Sequence, residues 1–104
     1  MLYLWSLLVK EVKGNAPGLR VKRDEVGDFR LTREDDRSFC NVVDLHSHVS
    51  VFLLASAYIL YLIPSSLLAR KSGRVTFKFR DEDDPEIPLI SELIGRCHAA
   101  RDLY

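Results

Sequence analysis

The sequence predicts a membrane protein with a single transmembrane α-helix and short α/β flanks. Residues 47–69 contain no Lys, Arg, Asp or Glu, whereas the segments on both sides are rich in all four. A helix needs roughly 20 apolar residues to cross a bilayer, and this uncharged run is just long enough. Its apolar side chains point to every side of a helical wheel, which suits lipid or a large core. Because a chain of 104 residues offers little protein to surround such a helix, lipid is the simpler environment.

A small soluble α+β domain is the alternative that the same residues allow. Val, Ile, Tyr and Phe favour strands as well as membrane helices. Residues 49–63 would then form a central helix or a pair of strands under a sheet built from the two flanks. In that case the chain is a soluble interaction module, with a homodimer as one form of it.

The N-terminal polar flank comprises residues 1–46. Its opening, MLYLWSLLV, is too short to span a bilayer, and its periodicity fits a strand or an interfacial helix. A breaker of Gly, Asn and Pro follows at residues 14–18. Apolar and polar residues then alternate on both sides of the turn-forming residues 24–28, which predicts a β-ribbon over residues 19–32.

The predicted transmembrane helix, residues 47–69, carries two features that suggest a neighbouring helix. Tyr58 and Tyr61 lie deeper than the aromatic belt of a membrane helix would place them. Small residues around positions 55–57 would allow another helix to approach closely. We therefore expect the face with both tyrosines to bind a partner, and we expect Pro64 to kink or end the helix.

The C-terminal tail, residues 70–104, reads as a strand at 74–80, an acidic linker at 81–88 and an amphipathic helix at 89–103. One face of the strand and one face of the helix are apolar, and neither flank has a core of its own to cover them. Uncovered apolar faces indicate partner surfaces. The predicted partner-binding residues of the tail are Val75, Phe77, Phe79, Ile90, Leu93 and Ile94.

Charge gives an orientation but no nucleic-acid site. Fifteen basic and fifteen acidic residues cancel, so no global field attracts nucleic acid. Basic residues cluster just after the uncharged run, which predicts a C-terminal tail on the cytoplasmic or matrix side. A basic, acid-poor start also fits the mitochondrial inner membrane.

Cys40 and Cys97 would lie on opposite sides of the span and could not pair with each other.

The string Asp44-Leu45-His46-Ser47-His48 is the one motif with recognisable chemistry. It resembles the D-x-H-x-H start of the metal site in amidohydrolases and in the polymerase-and-histidinol-phosphatase phosphoesterases. In those families two histidines at alternate strand positions reach the same metal. The resemblance covers five residues and implies a metal-dependent hydrolase with Asp44, His46 and His48 as candidate ligands. Otherwise the string is a polar cap at the level of the lipid headgroups.

Together these features predict a non-catalytic accessory subunit of a larger membrane complex. One span would anchor it in the lipid bilayer, and both flanks would bind other subunits. The five glycines are scattered as turn residues and form no phosphate-binding loop. We therefore expect no cofactor, no small-molecule substrate and no bound nucleic acid.

Overall fold

The computed structural model, which describes residues 1–104, has a β-strand and short turns where the sequence predicts a spanning helix. The strand is Val49–Leu53, and 3₁₀ turns at Leu54–Ala57 and Leu60–Leu62 follow it before the short helix Ser65–Leu68. None of the helices combines the length and the apolar character that crossing a bilayer requires. The single-pass fold predicted from residues 47–69 is therefore wrong, and the membrane-anchored localisation falls with it.

Five antiparallel strands and two longer helices make this an α+β fold. The strands follow one another in the sheet in sequence order, β1-β2-β3-β4-β5, so each pairs with its neighbours in the chain. The elements are α1 (Leu2–Asn15), β1 (Arg20–Glu25), β2 (Asp28–Thr32), β3 (Ser38–Asp44), β4 (Val49–Leu53), α2 (Ser65–Leu68), β5 (Thr76–Phe79) and α3 (Ile87–Ala99), with a 3₁₀ turn at Arg101–Leu103.

The register of the sheet places one apolar row on the face that the helices cover. Val51 of β4 lies opposite Val42 of β3 on one side and Phe77 of β5 on the other. Phe29 of β2 continues the row beyond Val42. All four side chains are fully buried. Because side chains alternate between the two faces of a strand, the half-buried Phe52 belongs to the opposite face.

Helices α1 and α3 cover this row. In α1, Leu4, Leu8 and Val12 recur at four-residue spacing and are buried, so one stripe of the helix faces the sheet. The Trp5 indole Nε1 donates a hydrogen bond to the Val42 carbonyl at 2.9 Å, which ties α1 to β3. In α3 the buried stripe consists of Ile87, Ile90, Leu93, Ile94 and Cys97.

A polar bridge joins the two helices. The Asn15 side-chain amide donates to the Ser91 hydroxyl at 2.6 Å, and that hydroxyl donates to the Glu11 carboxylate at 2.7 Å. These bonds link the end of α1 to the first half of α3. They hold the helices side by side over the sheet.

The membrane prediction fails because the chain does contain enough protein to cover its apolar middle. Twenty-four buried apolar residues from α1, the sheet, the central turns and α3 form one cluster. Cys40 and Cys97 both belong to it as free thiols, so no membrane separates them. Burial raises the pKa of both thiols, that of Cys97 to about 11. Both cysteines are therefore protonated core residues near neutral pH.

The flanking segments carry the elements that complete the core. Residues 19–32 contain the β1–β2 hairpin, whose turn uses Gly27 at φ +83°. A left-handed residue in a two-residue turn favours glycine there. Strand β5 lies within the segment 74–80, and α3 begins within the acidic linker at Ile87.

Candidate functional site

The string from Asp44 to His48 forms the turn between β3 and β4. The Leu45 N–H donates to the His48 carbonyl at 2.9 Å, which closes the reversal. The His46 N–H donates to the Asp44 carboxylate at 2.9 Å, and His46 adopts a left-handed φ of +70°. An Asp that accepts a backbone N–H two residues later is a common turn device. The spacing of Asp44 and His46 is therefore explained by the tight β3–β4 turn.

The side chains of the turn do not converge on one point with further ligands. His46 is exposed, and the Nδ1 atom of His48 lies 2.9 Å from the Ser47 hydroxyl. The Asp44 carboxylate lies 4.0 Å from the N-terminal ammonium of Met1. No group of three or more His, Cys, Asp or Glu side chains in the chain is placed to hold a metal ion. The fold thus does not bring Asp44, His46 and His48 together as a metal site.

His48 should make folding stability depend on pH. Burial lowers its pKa below the ordinary 6.5, and the positive charges of Lys78 and Arg80 add to this effect. The unfolded chain then binds the proton more readily, so the free energy of unfolding falls as pH drops below about 6.5. His48→Gln removes the titrating group and should lose less stability than the wild type between about pH 7.5 and 5. Urea unfolding at both pH values measures this, and equal losses would contradict the assignment.

The predicted partner-binding residues divide into two groups in the structure. Phe77, Phe79, Ile90, Leu93 and Ile94 are buried in the chain's own core, and Val75 is half-buried. Tyr58 and Tyr61 point outward, with 64% and 83% of their surface exposed. These two tyrosines are the members of the predicted set that a partner can reach.

The tyrosines belong to an exposed surface that we call the apolar ridge. It consists of the outward side chains of the two 3₁₀ turns and of the link between them, whereas Ala55, Ile59 and Ile63 in the same stretch are buried in the core. Short 3₁₀ turns alternate their side chains between core and surface within a few residues. The ridge residues are Leu54, Tyr58, Leu60, Tyr61 and Leu62.

Next to the ridge lies a cavity of about 640 Å³, which we call the Arg33 cavity. Two of its walls come from sequence-distant parts of the chain, the β2–β3 connection and the C-terminal turn. The third wall is the first 3₁₀ turn. Its lining residues are Arg33, Arg37, Ser38, Phe39, Leu54, Ala55, Tyr58, Leu103 and Tyr104.

Arg33 is the central polar group of this cavity. Only 13% of its side chain is exposed. One guanidinium nitrogen, Nη1, donates to the main-chain oxygen of Tyr104 at 2.5 Å, and Nη2 lies 3.5 Å from the Asp35 carboxylate. The guanidinium also lies 5.7 Å from the centre of the Tyr104 ring. Its buried Nε atom has no hydrogen-bond partner in the chain.

A second cavity of about 610 Å³ is lined mostly by charged residues near the start of α3. Here one pair of charges, Arg70 and Asp84, is engaged by the fold. The buried Asp84 carboxylate pairs with Arg70 and also accepts the Glu86 N–H at 2.9 Å. An Asp that accepts the backbone N–H two residues later forms a turn, and this turn lies directly before α3, which has no side-chain cap. We therefore assign Arg70 and Asp84 to the turn that precedes α3.

No protein-family model matches the chain, and no curated protein or solved structure shows significant similarity to it. The function is therefore argued from the ridge and the Arg33 cavity. Sequence patterns identified Tyr58 and Tyr61 but missed Arg33 and Tyr104. These two residues are 71 positions apart and meet only in the folded chain. No local pattern in the sequence signals that contact.

Proposed function

We propose that the chain is a non-catalytic interaction module that associates with a second copy of itself through the apolar ridge. The exposure of Tyr58 and Tyr61 is the observation that carries the proposal. A tyrosine side chain offers about 150–250 Å², so these two expose on the order of 300 Å². That area lies at the lower end of the range for the largest apolar patch on an ordinary monomer, about 300–600 Å². Leu54, Leu60 and Leu62 extend it.

The edge of the ridge favours a copy of the same chain as the partner. Beside Leu62, a small groove is lined by Glu92 and Arg96, which pair with each other at 2.6 Å. Near the C-terminal turn, Arg101 pairs with Glu34 at 2.8 Å. In a two-fold interface each residue of one copy faces the equivalent patch of the other. A rim that carries both signs can then match acid with base across the axis.

The overall charge points the same way. The chain has 15 basic and 15 acidic residues, so two copies do not repel each other at long range. A net charge near zero promotes association. The ridge provides the apolar contact, and the balanced charge removes the usual obstacle to bringing two copies together.

Replacing Tyr61 with Glu should weaken the dimer strongly. The wild type should sediment as a dimer at about 100 μM, and the variant as a monomer, because losing a central aromatic contact costs 2 kcal/mol or more, about 30-fold in affinity. Sedimentation equilibrium over a concentration series measures both constants. Val26→Glu is the matched control, since Val26 is 81% exposed but lies in the β1–β2 turn.

Two results would overturn the proposal. A wild-type chain that stays monomeric over the whole concentration series would show that the ridge does not join two copies. Equal weakening by Val26→Glu and Tyr61→Glu would place the contact elsewhere. Circular dichroism of each variant confirms that a change in mass does not come from unfolding.

A further inference from the structure

We infer that the Arg33 cavity receives the Tyr61 side chain of a second copy, so that each copy of the dimer inserts one tyrosine into the other. This inference rests on the proposed dimer and names the contact that gives it its geometry. Each chain contributes one protruding ring and one cavity to the same interface.

The ridge and the cavity share a wall. Leu54 and Tyr58 belong to the ridge and also line the Arg33 cavity. A second copy that covers the ridge therefore covers the mouth of the cavity. An apolar space that is closed but left empty is destabilising in proportion to its volume, and this cavity has about 640 Å³. A side chain of the second copy that enters the cavity removes this cost.

The ridge alone is small for a stable dimer. Such an interface buries about 800 Å² on each partner. The two ridge tyrosines together expose on the order of 300 Å², and the three ridge leucines are only between 38% and 51% exposed. The cavity walls and Leu103, which is 83% exposed at the edge of the cavity, add apolar surface beside the ridge. A contact that includes the cavity therefore comes closer to the required area.

The charges of the cavity are matched within the chain. The Asp35 carboxylate lies 3.5 Å from the Arg33 guanidinium and 3.6 Å from the Arg37 guanidinium. Arg33 also donates a hydrogen bond to the main-chain oxygen of Tyr104. Because burying a charge without a partner is costly, the cavity favours an uncharged occupant.

The lining of the cavity suits a tyrosine in particular. Phe39 and Ala55 form its buried, apolar part, and Ser38 adds a hydroxyl group. A tyrosine has an apolar ring for such walls and a hydroxyl that needs a polar partner when it is buried. An aliphatic side chain would make no use of the Ser38 hydroxyl.

Tyr61 is the ridge tyrosine that is placed to enter a second copy. Tyr58 stacks on Tyr104, with 6.5 Å between the ring centres and 14° between the ring planes, and forms part of the wall of its own cavity. Tyr61, in contrast, is 83% exposed and does not line that cavity. Aromatic side chains that fill a pocket of the partner dominate the energy of many interfaces. In a two-fold dimer the insertion occurs twice, because each copy has both parts.

Mixing two variants tests the inference. Tyr61→Ala removes the inserted ring, and Ser38→Trp fills the cavity with a side chain of its own chain. Each variant alone should dimerise at least about 30-fold more weakly than the wild type, because both insertions are lost. A mixed dimer keeps one insertion, the Tyr61 of one chain in the open cavity of the other. Sedimentation equilibrium should therefore show the equimolar mixture associating at least about 5-fold more tightly than either variant alone.

The outcomes separate this inference from the proposed dimer. A mixture that associates no more tightly than its components would overturn the inference and leave the wild-type dimer in place. A wild type that stays monomeric would overturn both.

Two further variants guard against trivial explanations. Ser72→Trp is the matched control, since Ser72 is exposed and lines the second cavity, and it should leave the dimer affinity unchanged. Equal weakening by Ser72→Trp and Ser38→Trp would overturn the inference. If Ser38→Trp does not fold, Arg37→Trp takes its place in the mixture, because Arg37 also lines the Arg33 cavity and 67% of its side chain is exposed.

Discussion

Val51→Asp should abolish folding. Val51 is fully buried in the middle of the apolar row, opposite Val42 on one neighbouring strand and Phe77 on the other. Placing a carboxylate there without a partner costs several kcal/mol. Because a domain of this size is stable by only about 5–15 kcal/mol, we expect a loss of more than about 4 kcal/mol. Circular dichroism and urea unfolding measure the effect.

Phe52→Asp is the matched control for this substitution. Phe52 is the next residue of β4 but lies on the opposite face and is only half-buried. The variant should fold and lose about 1 kcal/mol or less. In a helix surrounded by lipid the two positions would be equivalent, since a charge is costly on any face. Equal damage at both positions would therefore contradict the assignment of β4.

Leu8→Ala should lower the free energy of unfolding by about 2–5 kcal/mol. Leu8 is 1% exposed and lies on the stripe of α1 that packs on the sheet. Removing three carbon atoms leaves a cavity between two elements that cannot close it easily. Chemical denaturation of both proteins in the same buffer gives the difference directly.

The control for Leu8→Ala lies on the same helix. Lys10 is exposed, and Lys10→Ala should change stability by less than about 0.5 kcal/mol. A loss below about 1 kcal/mol for Leu8→Ala would show that α1 does not contribute to the core. The structure requires a large difference in stability loss between the two variants. Helix α1, whose sequence fits a strand as well as a helix, supplies four buried side chains to the core.

Local patterns in the sequence were informative where one face of an element is apolar. The alternation at Val75, Phe77 and Phe79 marks the segment in which the structure has β5. The helical spacing of Ile90, Leu93 and Ile94 marks the segment in which it has α3. These patterns depend on neighbours within a few residues, so one sequence is enough to find them.

The uncharged run misled the prediction because its side chains lie in two environments in succession. Val49, Val51 and Leu53 alternate into the core as a strand, whereas Leu60 and Tyr61 are exposed in a turn. Hydropathy alone does not distinguish a core strand followed by an exposed apolar surface from a membrane span. The distinction depends on α1 and α3, which reach the sheet from the two ends of the chain.

The candidate site was predictable only in part, for a similar reason. Tyr58 and Tyr61 were predicted as partner-binding residues because a tyrosine is unusual in the middle of a membrane span. The Arg33 cavity depends on the contact between Arg33 and the C-terminal turn, and on the burial of a charged side chain. Burial of an arginine follows from tertiary packing, which composition and spacing do not report.

The central claim is that residues 49–53 are the fourth strand of an antiparallel sheet, and NMR in detergent-free buffer tests it most directly. We expect strand chemical shifts for these residues, slow amide exchange, and cross-strand contacts from Val51 to Val42 and to Phe77. Helical chemical shifts running without interruption from residue 49 to residue 67, with no cross-strand contacts, would contradict it.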